Sequence, residues 1–276
     1  MSSAAANLDF SAPRRRTLSP EGRQVKQKKI FDIGMYDGSD SRYFLDQGYR
    51  VVAVEANPKL AVKAQQEFRD EIADGRLTVV NRALADEPGE IELVLCGDDL
   101  GASSIFEDKI AHRNPAGTCT VQAVTFSDLV DEFGVPDYVK VDIEGADRHC
   151  ILAMDRHNRP QYLSFEADDD LEELITHMAS IGYRRFKLIG QCSFLELGNE
   201  RSLGNRLKRR VMRWLGFDQP LSVHRSGRWF QLMHSSGPAP WASDGNWYSA
   251  EVLLSKWNHA RQNDQLMGWY DVHACL

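Results

Sequence analysis

The chain lacks most of the features that identify a protein at a glance. Its 276 residues hold only five cysteines: Cys96, Cys119, Cys150, Cys192 and Cys275. They are odd in number, scattered, and include no Cys-x-x-Cys pair. That argues against a disulfide framework, excludes a zinc ribbon and makes a reducing compartment the default. Eight histidines include no His-Glu-x-x-His string or clustered ligand set, so no resident metal is expected. Ser103-Ser104 and Ser235-Ser236 lack a Gly-x-Ser-x-Gly setting, which speaks against a serine nucleophile. No apolar run approaches the ~18 residues of a membrane span. The N-terminus has no hydrophobic segment of a secretory signal, and the expected location is the cytoplasm.

Positive charge is outnumbered, with 33 lysines and arginines against 40 aspartates and glutamates. A formal net charge of −7 disfavours a general nucleic-acid binder, whose non-specific affinity comes from neutralising phosphates. The exception is the start of the chain, where seven basic residues face Asp9 and Glu21 through Lys29. Residues 1–28 lack an apolar period and contain Pro13 and Pro20, as expected of a disordered basic leader. The whole chain, at 42% apolar and 26% charged, is ordinary for a globular protein. Its length permits one elaborated domain or two small ones.

Beyond the leader, short apolar runs alternate with helical patterns. Strands are expected at Ile30–Ile33, Tyr49–Val54, Leu77–Val80, Tyr138–Ile143 and Tyr162–Phe165, the last ending in Glu166. A helix with Tyr43, Phe44 and Leu45 stops near Gly48. Asn57 caps another, with Pro58 at its first position and Ala61, Ala64, Phe68 and Ile72 on its buried face. Asp169 or Asp170 caps a third, carrying Leu171, Leu174, Ile175, Met178 and Ile181. Between Gly89 and Thr125 the pattern alternates, with Ile91, Leu93 and Leu95 on one strand and Val121 to Val124 on another, as in an inserted hairpin. Strands at Arg185–Ile189 and Arg228–Met233 are expected to finish the sheet. The class is α/β, with a mostly parallel sheet, helices on both faces and right-handed crossovers.

Two acidic glycine turns stand at strand ends: Asp32-Ile33-Gly34-Met35-Tyr36-Asp37-Gly38 and Asp142-Ile143-Glu144-Gly145. Between them Glu55 ends the second strand, 21 residues after Gly34, near the ~20-residue spacing at which an acidic residue takes a ribose diol. Ligands of doubly wound sheets bind at these carboxyl ends. The sign of the charge decides the ligand. A pyrophosphate wants bare amides at a helix start, and Asp32, Asp37 and Asp40 would repel it. A sulfonium-ammonium ligand with an adenosine half fits, so the chain reads as a binder of S-adenosylmethionine and as a methyltransferase. Asp142 and Glu144, alternating along a strand, would share one direction.

These strings, with Asn81-Arg82-Ala83-Leu84, Lys140-Val141-Asp142-Ile143-Glu144-Gly145-Ala146-Asp147 and Leu163-Ser164-Phe165-Glu166, resemble the FkbM family of S-adenosylmethionine-dependent methyltransferases. The similarity spans roughly Ile30 to Ile189, and Trp269-Tyr270-Asp271-Val272-His273-Ala274 is similar to a subgroup. The resemblance implies a class I, Rossmann-like methyltransferase fold that O-methylates sugars, polysaccharides or natural products. It implies a methionine-end loop of Asp32, Gly34 and Gly38, in which Met35-Tyr36-Asp37 after Gly34 are bulkier than the residues the family usually carries there. Glu55 would take the ribose, Asn81 would lie near adenine, and Asp142 beside the transferable methyl. Ser104 would line the cofactor pocket from the insertion.

A hydroxyl acceptor has to lose its proton, so a carboxylate base is expected. Asp142 is the first candidate, with Glu144 and Glu166 behind it. The cofactor domain would cover 29–200, and a C-terminal cap 201–276 would complete it. In that cap, an apolar stripe from Leu203 to Leu215 carries basic residues on its other faces. It reads as a docked helix with a solvated face, or as a lid or interfacial helix meeting an anionic surface through 201–215. The acceptor is expected to be a small molecule or glycan, with oligomeric state open. Alternatives are a nucleotide-dependent oxidoreductase or epimerase, and an inactive cofactor-binding scaffold.

Overall fold

The computed structural model describes residues 28–97, 103–106, 115–199, 222–225, 228–231 and 235–276. The basic leader up to residue 27 and the 201–215 segment lie outside the described residues.

Short apolar runs become buried parallel strands, as expected where both faces are covered. β1 (Lys29–Ile33) leads through the first glycine turn into α1 (Ser39–Asp46), and β2 (Arg50–Val54) follows. Asn57 Oδ1 accepts from the Lys59 amide at 3.0 Å and starts α2 (Pro58–Glu67). The expected single helix breaks at Phe68, which is buried, and α3 (Arg69–Ala73) carries Ile72 only half-buried. β3 (Leu77–Val80) closes this half. The insertion forms its own sheet from β4 (Ala83–Leu84), β5 (Gly89–Cys96) and β6 (Pro115–Val124), with β5 and β6 antiparallel. Directly after it comes a helix absent from the expectations, α4 (Phe126–Phe133), started by a reciprocal capping box between Thr125 and Asp128.

β7 (Tyr138–Val141), α5 (Asp147–Leu152), β8 (Tyr162–Glu166), α6 (Leu171–Ile181) and β9 (Arg185–Gly190) complete the second half. Asp170 stands at the N-cap of α6 without a side-chain cap bond, while all five expected apolar residues are buried. β10 (Ser222–Arg225) pairs only with β11 (Arg228–Gln231), in a separate ribbon. The expectation that Arg228–Met233 finishes the main sheet is therefore corrected. After α7 (Ala250–Gln262), that place is taken by β12 (Tyr270–Cys275), which lies antiparallel between β8 and β9.

The main sheet runs β3-β2-β1-β7-β8-β12-β9. Its order reverses between β1 and β7, which is where such sheets open a crevice. Tyr270, Val272 and Ala274 pack with α4, α5, α6 and α7 on one face. Ile30, Val51, Ala53, Tyr138 and Ile189 pack with α1 and Phe68 on the other. That second face also carries a register row of buried polar residues across five strands: Asp32, Lys140, Ser164, His273 and Lys187. Each finds a partner. Tyr138 Oη and Ser164 Oγ are 2.6 Å apart, His273 Nδ1 and Ser243 Oγ 2.8 Å, and Lys187 Nζ donates to the Ser243 carbonyl at 2.7 Å. Burial and the nearby Lys187 push His273 down to about 3, so it is neutral.

If β12 is a structural member of the sheet, Val272→Ala should destabilise the chain by about 2–3 kcal/mol, from two lost methyl groups plus a cavity. Val252→Ala, on the exposed side of α7, should stay within about 0.5 kcal/mol. Urea unfolding of both variants checks this; equal effects would remove β12 from the core.

Candidate active site

The two acidic turns meet at the switch point. Gly34 has φ +87°, and a Cβ there would stand 1.8 Å from the carbonyl oxygen of Asp142. Its freedom serves contact between the turns rather than approach to a ligand. Gly38, at φ +81°, sits at the N-cap of α1 against the Phe68 ring. The Asp142 amide donates to the Ile33 carbonyl at 2.9 Å, which closes the clamp.

Beneath the turns lies Lys140, 4% exposed. Its Nζ is 3.2 Å from Asp40 Oδ2, 3.4 Å from Asp32 Oδ1 and 3.5 Å from Asp142 Oδ2, and it donates to the Gly34 carbonyl at 3.1 Å. Burial alone would lower the Lys140 pKa. Asp32, Asp40 and Asp142 outweigh it and hold the ammonium well above its ordinary range. Asp32 is fully buried and accepts from Ser41 Oγ at 2.6 Å; burial raises its pKa against the pull of Lys140. Asp40 also accepts from Ser235 Oγ and from the Ser236 amide at 3.1 Å. One ammonium among three carboxylates leaves an acidic surplus, and Asp142, 39% exposed, carries it to the surface.

Above them opens a cavity of about 410 Å³. Its lining includes Gly34, Met35, Asp37, Glu55, Ser104, Asp142, Glu144 and Glu166 from the sequence expectations. Asp32, Gly38 and Asn81 do not line it. Glu55 Oε2 accepts from the Tyr36 amide at 2.9 Å and Oε1 from the Asn57 amide at 2.8 Å, which fixes the carboxylate. Asn81 Nδ2 donates to the Glu55 carbonyl at 2.8 Å and thus braces the exit of β2, while its neighbours Arg82 and Ala83 reach the cavity. Asp37 Oδ1 accepts from the Ser39 amide at 2.9 Å. Ser104 Oγ donates to the Glu144 carbonyl at 2.8 Å and ties the insertion to the second turn.

That turn corrects one expectation. β7 ends at Val141, and Glu144 has φ +49°. Asp142 and Glu144 therefore leave a tight turn instead of alternating along a strand. Asp147 accepts from the amides of Ile143 (3.0 Å) and Glu166 (3.2 Å), joining the ends of β7 and β8; burial, then Asp142, raises it to about 7. Burial followed by Asp142, Asp147, Asp271 and Glu144 raises Glu166 to about 9. A carboxyl raised this far keeps its proton at neutral pH and is poorly placed to accept another.

Gln191, Ser235, Ser236 and Trp269 also line the cavity, from the far end of the chain. None of them was assigned to the site from the sequence, where Ser235-Ser236 entered only as a disfavoured nucleophile and Trp269 only within a string similar to a subgroup. Lys140 did leave a signal, because a lysine flanked by valines on a buried strand has to be paired. Among the described residues, no group of three or more His, Cys, Asp or Glu could hold a metal ion.

A doubly wound sheet with an acidic cleft at its switch point has the architecture of a class I methyltransferase. The Methyltransferase FkbM domain matches residues 32–185, more than half of the chain. The chain belongs to the FkbM methyltransferase family, whose methyl donor is S-adenosylmethionine. Among solved structures, it is similar to Methyltransferase FkbM from Methylobacillus flagellatus KT, at 18% identity and a TM-score of 0.42. That match covers 59% of this chain and 40% of the other, so the chain spans less than half of that protein's length. It is also similar to precorrin-6y C5,15-methyltransferase from Geobacter metallireducens GS-15, at 11% identity and a TM-score of 0.40, covering 90% and 78% of the two chains. A methyltransferase from Geobacter sulfurreducens in complex with S-adenosylhomocysteine gives 11% identity and 0.35, covering 91% and 84%. A comparison with curated proteins finds no match.

If Lys140 is the counter-ion of the site, Lys140→Met strands buried carboxylates and should cost about 3–5 kcal/mol. Asp32 would then carry a pKa further above its unfolded value. A raised folded pKa stabilises at low pH and loses that contribution as pH rises. The variant should therefore recover part of its stability on acidification. Denaturant midpoints across pH test both parts, and a variant as stable as the parent at neutral pH would remove Lys140 from this role.

Proposed function

We propose that the chain is an S-adenosylmethionine-dependent O-methyltransferase acting on a hydroxyl of a sugar, polysaccharide or natural product. The observation that carries this reading is the acidic cleft at the switch point. Glu55 stands on its β2–β3 side and Asp142 and Glu144 on its β7–β8 side. Ionised carboxylates only accept hydrogen bonds and favour a cation. The cavity volume lies in the range of small-molecule sites. Each oxygen of Glu55 accepts one backbone amide, which leaves lone pairs for a ribose diol. Met35, Ala83, Leu84, Leu93 and Ile105 offer the apolar contacts an adenine needs.

When bound, S-adenosylmethionine supplies an electrophilic methyl group on a cationic sulfur. The protein's part is to align the acceptor and to take its proton. Alignment alone supplies ~7–11 kcal/mol in favourable cases. Asp142 Oδ takes the hydroxyl proton, and Lys140 holds that carboxylate in place. Gln191, Ser235, Ser236 and Trp269 frame the acceptor side. A dinucleotide reading is weaker, because the same carboxylates repel a pyrophosphate. No helix of the described residues is long and apolar enough to cross a membrane. With all five cysteines free, we place the enzyme in the cytoplasm.

Glu55→Ala should weaken S-adenosylhomocysteine by about one to two decades, since a charge-assisted bond is worth roughly 1.5–3 kcal/mol. Calorimetry on a variant with an intact thermal transition decides it, and unchanged affinity would remove the ribose assignment.

Asp142→Asn should bind cofactor within a few fold of the parent yet turn over ~10²–10⁴-fold more slowly. The rate has to be taken at saturating cofactor against a glycan or natural-product acceptor. A variant that loses affinity and keeps its maximal rate would make Asp142 a cofactor ligand only.

A further inference from the structure

Glu166 and Asp271 are direct register partners on the antiparallel strands β8 and β12. Residues so placed have Cβ atoms ~4.5–5.5 Å apart and point to the same face. Glu166 lines the cleft, and Asp271 lies behind it at 4% exposure. Asp271 Oδ1 accepts from Gln191 Nε2 at 2.8 Å, whereas its Oδ2 is buried without a hydrogen-bond partner. The elements around the pair are acidic. Asp142 and Glu144 come from the turn after β7, Asp147 from α5 and Asp40 from α1. The facing cation is Lys140, already shared among Asp32, Asp40 and Asp142. Double ionisation of two carboxyls on directly opposed positions in such surroundings is disfavoured. A proton held between them would also give the orphaned Asp271 oxygen its donor.

Building on the methyltransferase reading above, we propose that Glu166 and Asp271 share one proton and serve as the proton store of the reaction. The pair gives up its proton when a cation occupies the cleft. It takes one back when the acceptor loses its own. Atoms and charges balance in this scheme. The acceptor O–H bond breaks and its oxygen bonds the methyl carbon, while the sulfur keeps the electron pair of the broken S–C bond. The proton passes through Asp142 to the pair, whose hold on it returns once the sulfur is neutral. The electrostatics agree in direction: burial first, then Asp142, raise both groups, Asp271 well above its ordinary value. Glu166 and Asp271 thus act through Asp142, as positioning and storing residues.

S-adenosylmethionine and S-adenosylhomocysteine differ by the methyl group and its charge, and so report on the store directly. Calorimetry of the full chain at about pH 8, in two buffers of unlike ionisation enthalpy, counts the protons released on binding. S-adenosylmethionine should release about half to one proton more than S-adenosylhomocysteine. In Asp271→Asn and Glu166→Gln that difference should vanish, while Asp271→Asn, outside the cleft lining, should still bind S-adenosylhomocysteine. Equal proton counts in the parent, or a difference that survives in both variants, would overturn the proposal. A carbon-13 carboxyl titration of the ligand-free chain gives an independent measurement. Glu166 should titrate above neutral pH and move down in Asp271→Asn, and an ordinary carboxylate value in the parent would overturn the pairing. If neither ligand binds, the methyl-donor reading falls and this titration alone decides the pair.

Discussion

A buried ammonium that has to be neutralised governs the layout of this protein. Removing one charge from water costs several kcal/mol unless partners surround it, and Lys140 draws its partners from three separate elements. Asp32 comes from β1, Asp40 from α1, and Asp142 from the turn after β7. The same ammonium holds the Gly34 carbonyl, while Gly34 leaves room for the Asp142 carbonyl. Both turns of the switch point are thus locked by one charge and one missing Cβ. Ser235 and Ser236, bonded to Asp40, attach the C-terminal part to this centre. The clamp that stabilises the turns also leaves the acid surplus that faces the cleft.

Much of the sheet was legible because its signals are local. Apolar runs marked the parallel strands, Asn57-Pro58 marked a helix start, and alternation marked the inserted hairpin. β12 was not legible as a sheet member. Its alternation of Tyr270, Val272 and Ala274 with Asp271 and His273 reads as a half-exposed strand, yet all six residues are buried. The second face tolerates His273 because Ser243 bonds it and Asp271 because Gln191 bonds one of its oxygens, contacts made between distant segments of the chain. α4 was hidden for a different reason: its capping box lies at the end of a stretch dominated by the hairpin's alternation.

The site divides along the same line. The spacing of Gly34 and Glu55 is a property of a single βαβ unit, and the sequence carried it. Which carboxylates face the cleft is a property of the assembled sheet. Asp32 ends a strand next to a glycine turn, as a ligand-binding residue would, but strand parity turns it toward Ser41 and Lys140. Asn81 follows a strand end in the same way and spends its amide on the backbone of Glu55 and Ala56. Asp142 keeps its access because the chain leaves β7 at Val141, two residues earlier than the apolar pattern implies.

The match to the family domain ends at residue 185, and that limit separates two physical jobs. Glu55, Asp142 and both glycine turns lie inside it. Gln191, Ser235, Ser236, Trp269 and Asp271 lie beyond it, yet they share the cleft or stand directly behind it. The connection is β12, which enters the sheet beside β8 and so sets Asp271 against Glu166 and Trp269 at the rim. Because this strand is also needed to pair β8 with β9, this wall of the cleft cannot be altered freely without disturbing the sheet. The side chains at the rim are the exception. Trp269 is half exposed and precedes the strand, so a substitution of the cleft wall would cost least in stability there.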